Sequence, residues 1–108
     1  MLLSSVWKVS DSPWETGSGI LYTRVTDQYG TFIAAFDGDD DARDAVESHN
    51  MYCELQVRNM LRSIRMAGKS YDDVIEVDDA RYNPRELAKL WDIPLRTSLG
   101  SWIDNIPQ

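Results

Sequence analysis

The strongest constraint on the fold is one continuous stripe of mostly apolar residues through the middle of the chain. The stripe has seven members, spaced three or four residues apart: Ala42, Val46, His49, Cys53, Val57, Met60 and Ile64. This spacing matches the 3.6-residue period of an α-helix with one face against a core. Ala45 and Leu61 widen the stripe, and Gly68 is suited to end the helix.

Charged residues indicate where this helix begins and ends. Its first turns contain four aspartates and its last turns contain four bases: Asp39, Asp40, Asp41, Asp44, Arg58, Arg62, Arg65 and Lys69. Each such charge stabilises a helix by about 0.3–1 kcal/mol through the helix dipole. A helix over about residues 39–66 would be about 40 Å long, whereas a compact domain of this size is about 34 Å across. The helix must therefore span the domain, protrude, or break, and His49-Asn50 is its weakest point by propensity.

Short β-prone segments precede the helix. "SVWKV", "ILYTRVT" and "TFIAAF" are rich in β-branched and aromatic residues. Asp27–Gly30 separates the last two and has the composition of a type I turn, so a hairpin is predicted there. Residues 12–19 contain Pro13, Gly17 and Gly19 and are predicted to form a loop.

The last third of the chain combines an extended segment with helices. Residues 70–83 favour a strand with Val74–Val77 as its body, although another helical turn is an alternative. Asn83, Pro84 and Glu86 predict a capped helix start, and Pro94 ends that helix near Asp92. A short last helix through Leu99, Trp102 and Ile103 is also predicted.

These elements predict one α+β domain over residues 1–108. A small antiparallel sheet of two or three strands packs on one long helix within residues 1–68. An extended segment and C-terminal helices follow within residues 69–108. Four tryptophans are many for 108 residues, and they are expected to supply much of the core.

Charge and composition narrow the classes of function. The net charge is −7, so the chain as a whole repels nucleic acid and attracts basic surfaces. The longest apolar run is far below the roughly 20 residues that a membrane span needs, no signal-peptide pattern opens the chain, and Cys53 is the only cysteine. We therefore expect a cytoplasmic protein without an internal disulfide.

Two groups of aspartates are the candidate contact residues for a partner: Asp37, Asp39, Asp40, Asp41, Asp44, Asp72, Asp73, Asp78 and Asp79. If the fold brings the two groups together, their carboxylates would imitate the rows of phosphate charges along a nucleic-acid duplex. The alternative is that they are only a solvated helix end and an acidic loop. Asp37, Asp39 and Asp41 also match the first positions of a calcium loop. Ala42 and Ser48 stand where that loop needs glycine and glutamate, so no specific calcium site is predicted, and loose binding of a divalent ion by these carboxylates is the alternative.

Two other patterns in the sequence have simpler structural explanations. His49 and Cys53 lie four residues apart on the apolar stripe, and the chain has no further soft ligand to complete a zinc site, so both are predicted core residues. Ala88, Ile93, Leu99, Trp102 and Ile103 have offsets similar to a helix-turn-helix in residues 84–105. Asp92 replaces its usual turn glycine, and Arg96 is the one base of its recognition helix.

The segment "PWETGSGILYTRVTDQYGTFIAAFDGDDDARDAVESHNMYCEL" resembles small bacteriophage and prophage proteins. Their shared layout is a Pro-Trp opening, a hairpin with a glycine turn, and an acidic helix start. The matching residues within about 12–62 are Pro13, Trp14, Gly30, Ile33, Ala34, Asp41, Ala42, Asn50 and Leu55. Glu47-Ser48-His49 departs from the more apolar form, and residues beyond 62 have no counterpart. The resemblance implies a phage origin and, by analogy, action on host machinery.

The sequence therefore favours a non-enzymatic acidic phage protein. It would bind and inhibit a host or defence protein, as an anti-CRISPR-like inhibitor does, by contact with a basic surface and without a cofactor. No phosphate loop, dinucleotide motif or nucleophile elbow is present. The alternatives are a helix-turn-helix DNA-binding regulator that uses residues 84–105, and a structural or assembly protein that forms a homo-oligomer, with a homodimer as one form.

Overall fold

The computed structural model of the chain describes residues 2–15 and 17–95, and it confirms an α+β fold. The elements in chain order are β1 (Lys8–Val9), β2 (Trp14–Glu15), β3 (Leu21–Thr26), β4 (Phe32–Phe36), α1 (Asp39–Met66), β5 (Ile75–Val77), β6 (Ala80–Tyr82) and α2 (Pro84–Leu90). The chain divides into two compact units. One is Ser5–Cys53, and the other combines the chain up to Ser4 with the chain from Glu54 onward.

The unit Ser5–Cys53 is built around an antiparallel sheet with β3 at its centre. β1 and β4 pair with opposite edges of β3, because both use Val25 and Thr26 as partners, and β2 pairs with β3 at Leu21 and Tyr22. The prediction of a loop over residues 12–19 is wrong for β2, because Trp14 and Glu15 pair with Tyr22 and Leu21 of β3.

The predicted hairpin between β3 and β4 is confirmed. The Gly30 amide donates to the Asp27 carbonyl oxygen at 3.1 Å, the closing bond of the turn. The Asp27 carboxylate accepts from the amides of Tyr29 and Thr31, both at 2.9 Å. Gly30 has a φ of 85°, which a residue without a side chain adopts at little cost. The outer edge of β4 pairs with no other strand among the described residues, and β4 carries no charge.

The predicted long helix is confirmed as α1, a continuous helix of 28 residues. Five residues of the predicted stripe are buried, and Val46 and Met60 are half-buried. The helix ends at Met66, and Gly68, the predicted stop, follows it with a φ of 70°. The Lys69 amide donates to the Ile64 carbonyl oxygen at 3.0 Å, so the last turn closes with a glycine cap. No helix in the described part of the chain is long and apolar enough to cross a membrane.

The second unit contains the hairpin β5–β6 and the helix α2. The predicted strand is confirmed over Ile75–Val77, but the sequence did not indicate its partner, β6. Asp78 and Asp79 form the connecting turn with φ values of 50° and 67°. Two positive φ values are typical of the type I′ turn that joins hairpin strands. Glycine or asparagine commonly marks this turn, and neither is present here.

The N-terminal residues of the chain join this second unit through Leu3. The Leu3 side chain is buried, its amide donates to the Tyr82 hydroxyl oxygen at 3.1 Å, and its carbonyl oxygen accepts from Trp91 Nε1 at 2.7 Å. The expectation that tryptophans supply much of the core is wrong for Trp14, which is exposed, while Trp7 and Trp91 are half-buried. Small aliphatic residues such as Val25 and Val57 fill the interior instead.

Helix α2 has the predicted N-terminal cap and an unusual C-terminal cap. The Asn83 side chain accepts from the Glu86 amide at 3.1 Å, and Pro84 is the first helical residue. At the other end Asp92 has a φ of 55°. The Ile93 amide donates to the Ala88 carbonyl oxygen at 2.8 Å, and the Asp92 amide donates to the Lys89 carbonyl oxygen at 3.2 Å. These two hydrogen bonds are the pattern of a Schellman cap.

Replacement of Asp92 is expected to change stability in opposite directions with glycine and alanine. The left-handed conformation costs an ordinary L-residue about 1–2 kcal/mol, which glycine avoids and aspartate partly avoids. We expect Asp92→Gly to raise the free energy of unfolding by about 0.5–1 kcal/mol and Asp92→Ala to lower it by about the same amount. Urea titration measures the free energy of unfolding of both variants. If both substitutions change it equally, the positive φ of residue 92 does not determine the stability of this cap.

Candidate partner-binding site

Five candidate aspartates form what we call the N-terminal acidic cluster: Asp37, Asp39, Asp40, Asp41 and Asp44. Asp37 lies in the bend before α1, the others lie in its first two turns, and all five are exposed. Asp39 accepts a hydrogen bond from the Thr23 hydroxyl, which ties the helix start to β3. Asp40 forms an exposed ion pair with Arg43 at 2.5 Å, the kind of contact that stabilises a fold only weakly.

The other four candidates form the second acidic cluster: Asp72, Asp73, Asp78 and Asp79. All four are exposed. Arg85 donates to both carboxylate oxygens of Asp72, at 2.7 and 3.3 Å, and this bond holds the pKa of Asp72 below its usual range. Asp72 therefore already has a basic partner within its own unit. Asp78 and Asp79 form the β5–β6 turn, where their conformation serves the hairpin.

The two acidic clusters belong to different compact units. The N-terminal acidic cluster lies in Ser5–Cys53, and the second acidic cluster lies in the unit that contains the chain from Glu54 onward. That the two form one surface stays a prediction. The N-terminal acidic cluster is the stronger candidate by itself, because its carboxylates are more numerous and four of them lie on one helix.

The geometry of the N-terminal acidic cluster does not resemble a metal site. Within the described residues, no group of three or more His, Cys, Asp or Glu side chains is arranged to hold an ion. Asp39, Asp40 and Asp41 are consecutive residues of α1, so their side chains point about 100° apart around the helix. A calcium loop instead directs its oxygens towards one point.

His49 and Cys53 are buried as predicted, and the structure shows what they contact. The His49 ring stacks on Trp7, with ring centroids 3.8 Å apart and 5° between the planes. His49 Nε2 lies 2.6 Å from the Ser5 carbonyl oxygen, so this nitrogen carries the hydrogen and donates it. Burial raises the pKa of the Cys53 thiol, which therefore stays protonated and poorly nucleophilic at neutral pH. Both side chains are therefore part of the core, as predicted.

Asn50 explains why the weakest part of α1 by propensity lies at its middle. Its side-chain oxygen accepts from the Trp7 amide at 3.0 Å, and its side-chain nitrogen donates to the Trp7 carbonyl oxygen at 2.9 Å. Together with His49, it fixes the chain of Ser5–Trp7 along the helix. His49 and Asn50 have low helix propensity, but their polar side chains form hydrogen bonds with backbone groups of Ser5–Trp7.

The proposed helix-turn-helix over residues 84–105 is described only as far as residue 95. Its first helix is α2, and Asp92 takes the positive φ that the usual turn glycine would take. Its second helix, with Arg96, Leu99, Trp102 and Ile103, lies outside the described residues. DNA binding through this region stays a prediction.

Two exposed apolar surfaces were not singled out from the sequence. On the sheet, the Trp14 ring lies 5.9 Å from that of Tyr22 and 5.8 Å from that of Phe32, measured between centroids. On α1, Met51, Tyr52 and Leu55 are exposed. Met51 and Leu55 lie on the face opposite the buried stripe, and Tyr52 lies at the side of that face. The helical spacing of these three residues of α1 is visible in the sequence. That they face away from the core is clear only once the structure shows which side of α1 is buried.

Comparison of the chain with protein families, with curated proteins and with solved structures finds no match.

Proposed function

We propose that this protein is a non-enzymatic phage protein that binds a basic surface of a host or defence protein in the host cytoplasm and inhibits it. The observation that carries the proposal is the N-terminal acidic cluster. Its five carboxylates are exposed around the first two turns of α1. Residues 37–47 contain six acids and a single base, Arg43. Such a surface accelerates association with a basic partner and makes binding sensitive to salt.

The kind of partner follows from this charge. A groove lined with lysine and arginine, such as one that normally holds nucleic acid, offers the complementary surface. Carboxylates that project from successive turns of α1 occupy positions that phosphates would otherwise take. A protein seated in such a groove excludes nucleic acid, and this exclusion is the proposed mechanism of inhibition. It needs neither a metal nor a covalent step.

The test removes three negative charges without removing side-chain volume. We expect Asp37→Asn, Asp40→Asn and Asp41→Asn in one chain to weaken partner binding at least about tenfold at low salt. Asp39 is retained because Thr23 depends on it. The partner is first obtained by affinity capture from host lysate with the wild-type chain as bait, and affinity is then measured by titration calorimetry with the purified partner.

The matched control removes the same charge from elsewhere. Asp11→Asn, Glu76→Gln and Glu86→Gln in one chain change three exposed residues outside both acidic clusters. This control is expected to bind within about twofold of the wild type, since only net charge changes. If both variants lose affinity for the partner equally, or if neither loses affinity, the N-terminal acidic cluster is not the contact surface. Failure of duplex DNA to compete would reject mimicry specifically.

A further inference from the structure

The outward face of α1 carries an ordered pattern of charge. Six residues at spacings of four and three form what we call the outer stripe: Asp44, Ser48, Met51, Leu55, Arg58 and Arg62. All six are exposed. Asp44 and Arg62 lie nine residues on either side of Cys53, which is two and a half helical turns, so the outer stripe lies opposite the buried Cys53.

The outer stripe changes character along the helix. It begins acidic at Asp44, is apolar at Met51 and Leu55, and ends basic at Arg58 and Arg62. Met51 is 72% exposed and Leu55 is 54% exposed, and beside them Tyr52 is 50% exposed. Large apolar side chains in the middle of a solvent-facing stripe are typical of a surface that another helix covers.

We infer that the outer stripe is the interface of an antiparallel homodimer, in which α1 of one copy packs against α1 of a second copy. A two-fold axis at the level of Cys53 places Met51 of each copy against Leu55 of the other. The same axis places Ser48 against Arg58 and Asp44 against Arg62. The spacing of four and three residues is the heptad spacing of helices that pack side by side.

Charge complementarity selects this occupant and this orientation. In the antiparallel pair each end of the stripe meets the opposite charge, so two ion pairs between Asp44 and Arg62 form by symmetry. In a parallel pair Asp44 would meet Asp44 and Arg62 would meet Arg62, and both contacts repel. In an isologous contact the same surface of both copies meets across a two-fold axis, so that surface must be complementary to itself. The outer stripe meets this condition because its two ends carry opposite charges. The inference does not depend on the proposed function.

The experiment is a charge exchange read by sedimentation equilibrium over about 5–500 µM, since a small interface associates weakly. The chain has a mass of 12.4 kDa, and the wild type is expected to approach twice that mass with rising concentration. Asp44→Arg alone and Arg62→Asp alone each place like charges together and are expected to weaken association at least about tenfold. The two changes in one chain restore opposite charges, and association should return to within about threefold of the wild type.

Controls separate the interface from the fold. Arg43→Asp makes the same charge change as Arg62→Asp on the same helix, about 100° away from the outer stripe, and is expected to leave association unchanged. Circular dichroism verifies that every variant is folded. A wild type that stays at 12.4 kDa throughout overturns the inference. So does association that neither single charge reversal weakens, or a double variant that fails to recover.

Orientation is tested independently with a spin label. Ser63 is exposed, and Cys53 is buried, so Ser63→Cys provides the reactive site for labelling. In the antiparallel pair the two labels lie about 30 Å apart along the helices, because position 63 of one copy lies at the same level as position 43 of the other, which is about 20 residues away along the helix. In a parallel pair the separation would be about 10 Å, the distance between helix axes. A short separation would contradict the inferred geometry.

Discussion

Leu3→Ala is expected to lower the free energy of unfolding by about 2–5 kcal/mol, although it changes a residue near the start of the chain. Chain ends commonly tolerate substitution because few contacts hold them. Leu3 differs because its side chain is only 5% exposed, in the unit that also contains Tyr82 and Trp91. Truncation removes buried surface and leaves a cavity, and both effects destabilise the fold.

Leu2 provides the matched control, since it is the same residue type one position earlier and is 56% exposed. Leu2→Ala is expected to change the free energy of unfolding by no more than about 0.5 kcal/mol. The hydrogen bonds to Tyr82 and Trp91 use the backbone of Leu3, so they are retained in both variants. Urea denaturation compares the pair, and similar stabilities would show that the Leu3 side chain does not contribute to the core.

Asn50→Ala is expected to lower the free energy of unfolding by about 1–3 kcal/mol, although alanine is the better helix former. The variant loses both hydrogen bonds to the Trp7 backbone and leaves a half-buried amide and carbonyl group unpaired. Propensity alone predicts the opposite sign. Asn59→Ala is the control, because Asn59 is an exposed residue of the same helix.

The two asparagine variants are compared by urea denaturation. Asn59→Ala is expected to be neutral or slightly stabilising, by up to about 0.5 kcal/mol, since it changes only propensity. Loss of stability confined to Asn50→Ala would confirm that its side chain fixes Ser5–Trp7. If both variants gain stability alike, the bonds between Asn50 and Trp7 contribute nothing to the fold.

The features that local chemistry determines were predictable from the sequence. α1 follows from an apolar period sustained over more than 20 residues, and the β3–β4 hairpin follows from Asp27 and Gly30 at the ends of a four-residue turn. The β5–β6 hairpin was only half predicted. Asp78 and Asp79 adopt positive φ values without the glycine or asparagine that normally marks such a turn.

Features that depend on distant residues were not predictable. Asn50 and Trp7 are 43 residues apart, and Leu3 and Tyr82 are 79 residues apart. A single sequence contains no signal that links such pairs. For the candidate site, charge correctly indicated exposed aspartates. It did not indicate that Arg85 pairs with Asp72 or that Thr23 donates to Asp39, because both contacts arise from the fold.

The outer edge of β4, which pairs with no other strand among the described residues, bears on the tendency of the chain to aggregate. A strand edge without charge or proline invites further chains to add strands, and repeated addition gives fibrils. Phe32–Phe36 has neither charge nor proline, but Asp37 follows it directly and Asp39 lies two residues further. Stacked copies would bring these aspartates into a column of like charge, so we expect Asp37 and Asp39 to oppose amyloid growth. This protection requires no binding partner.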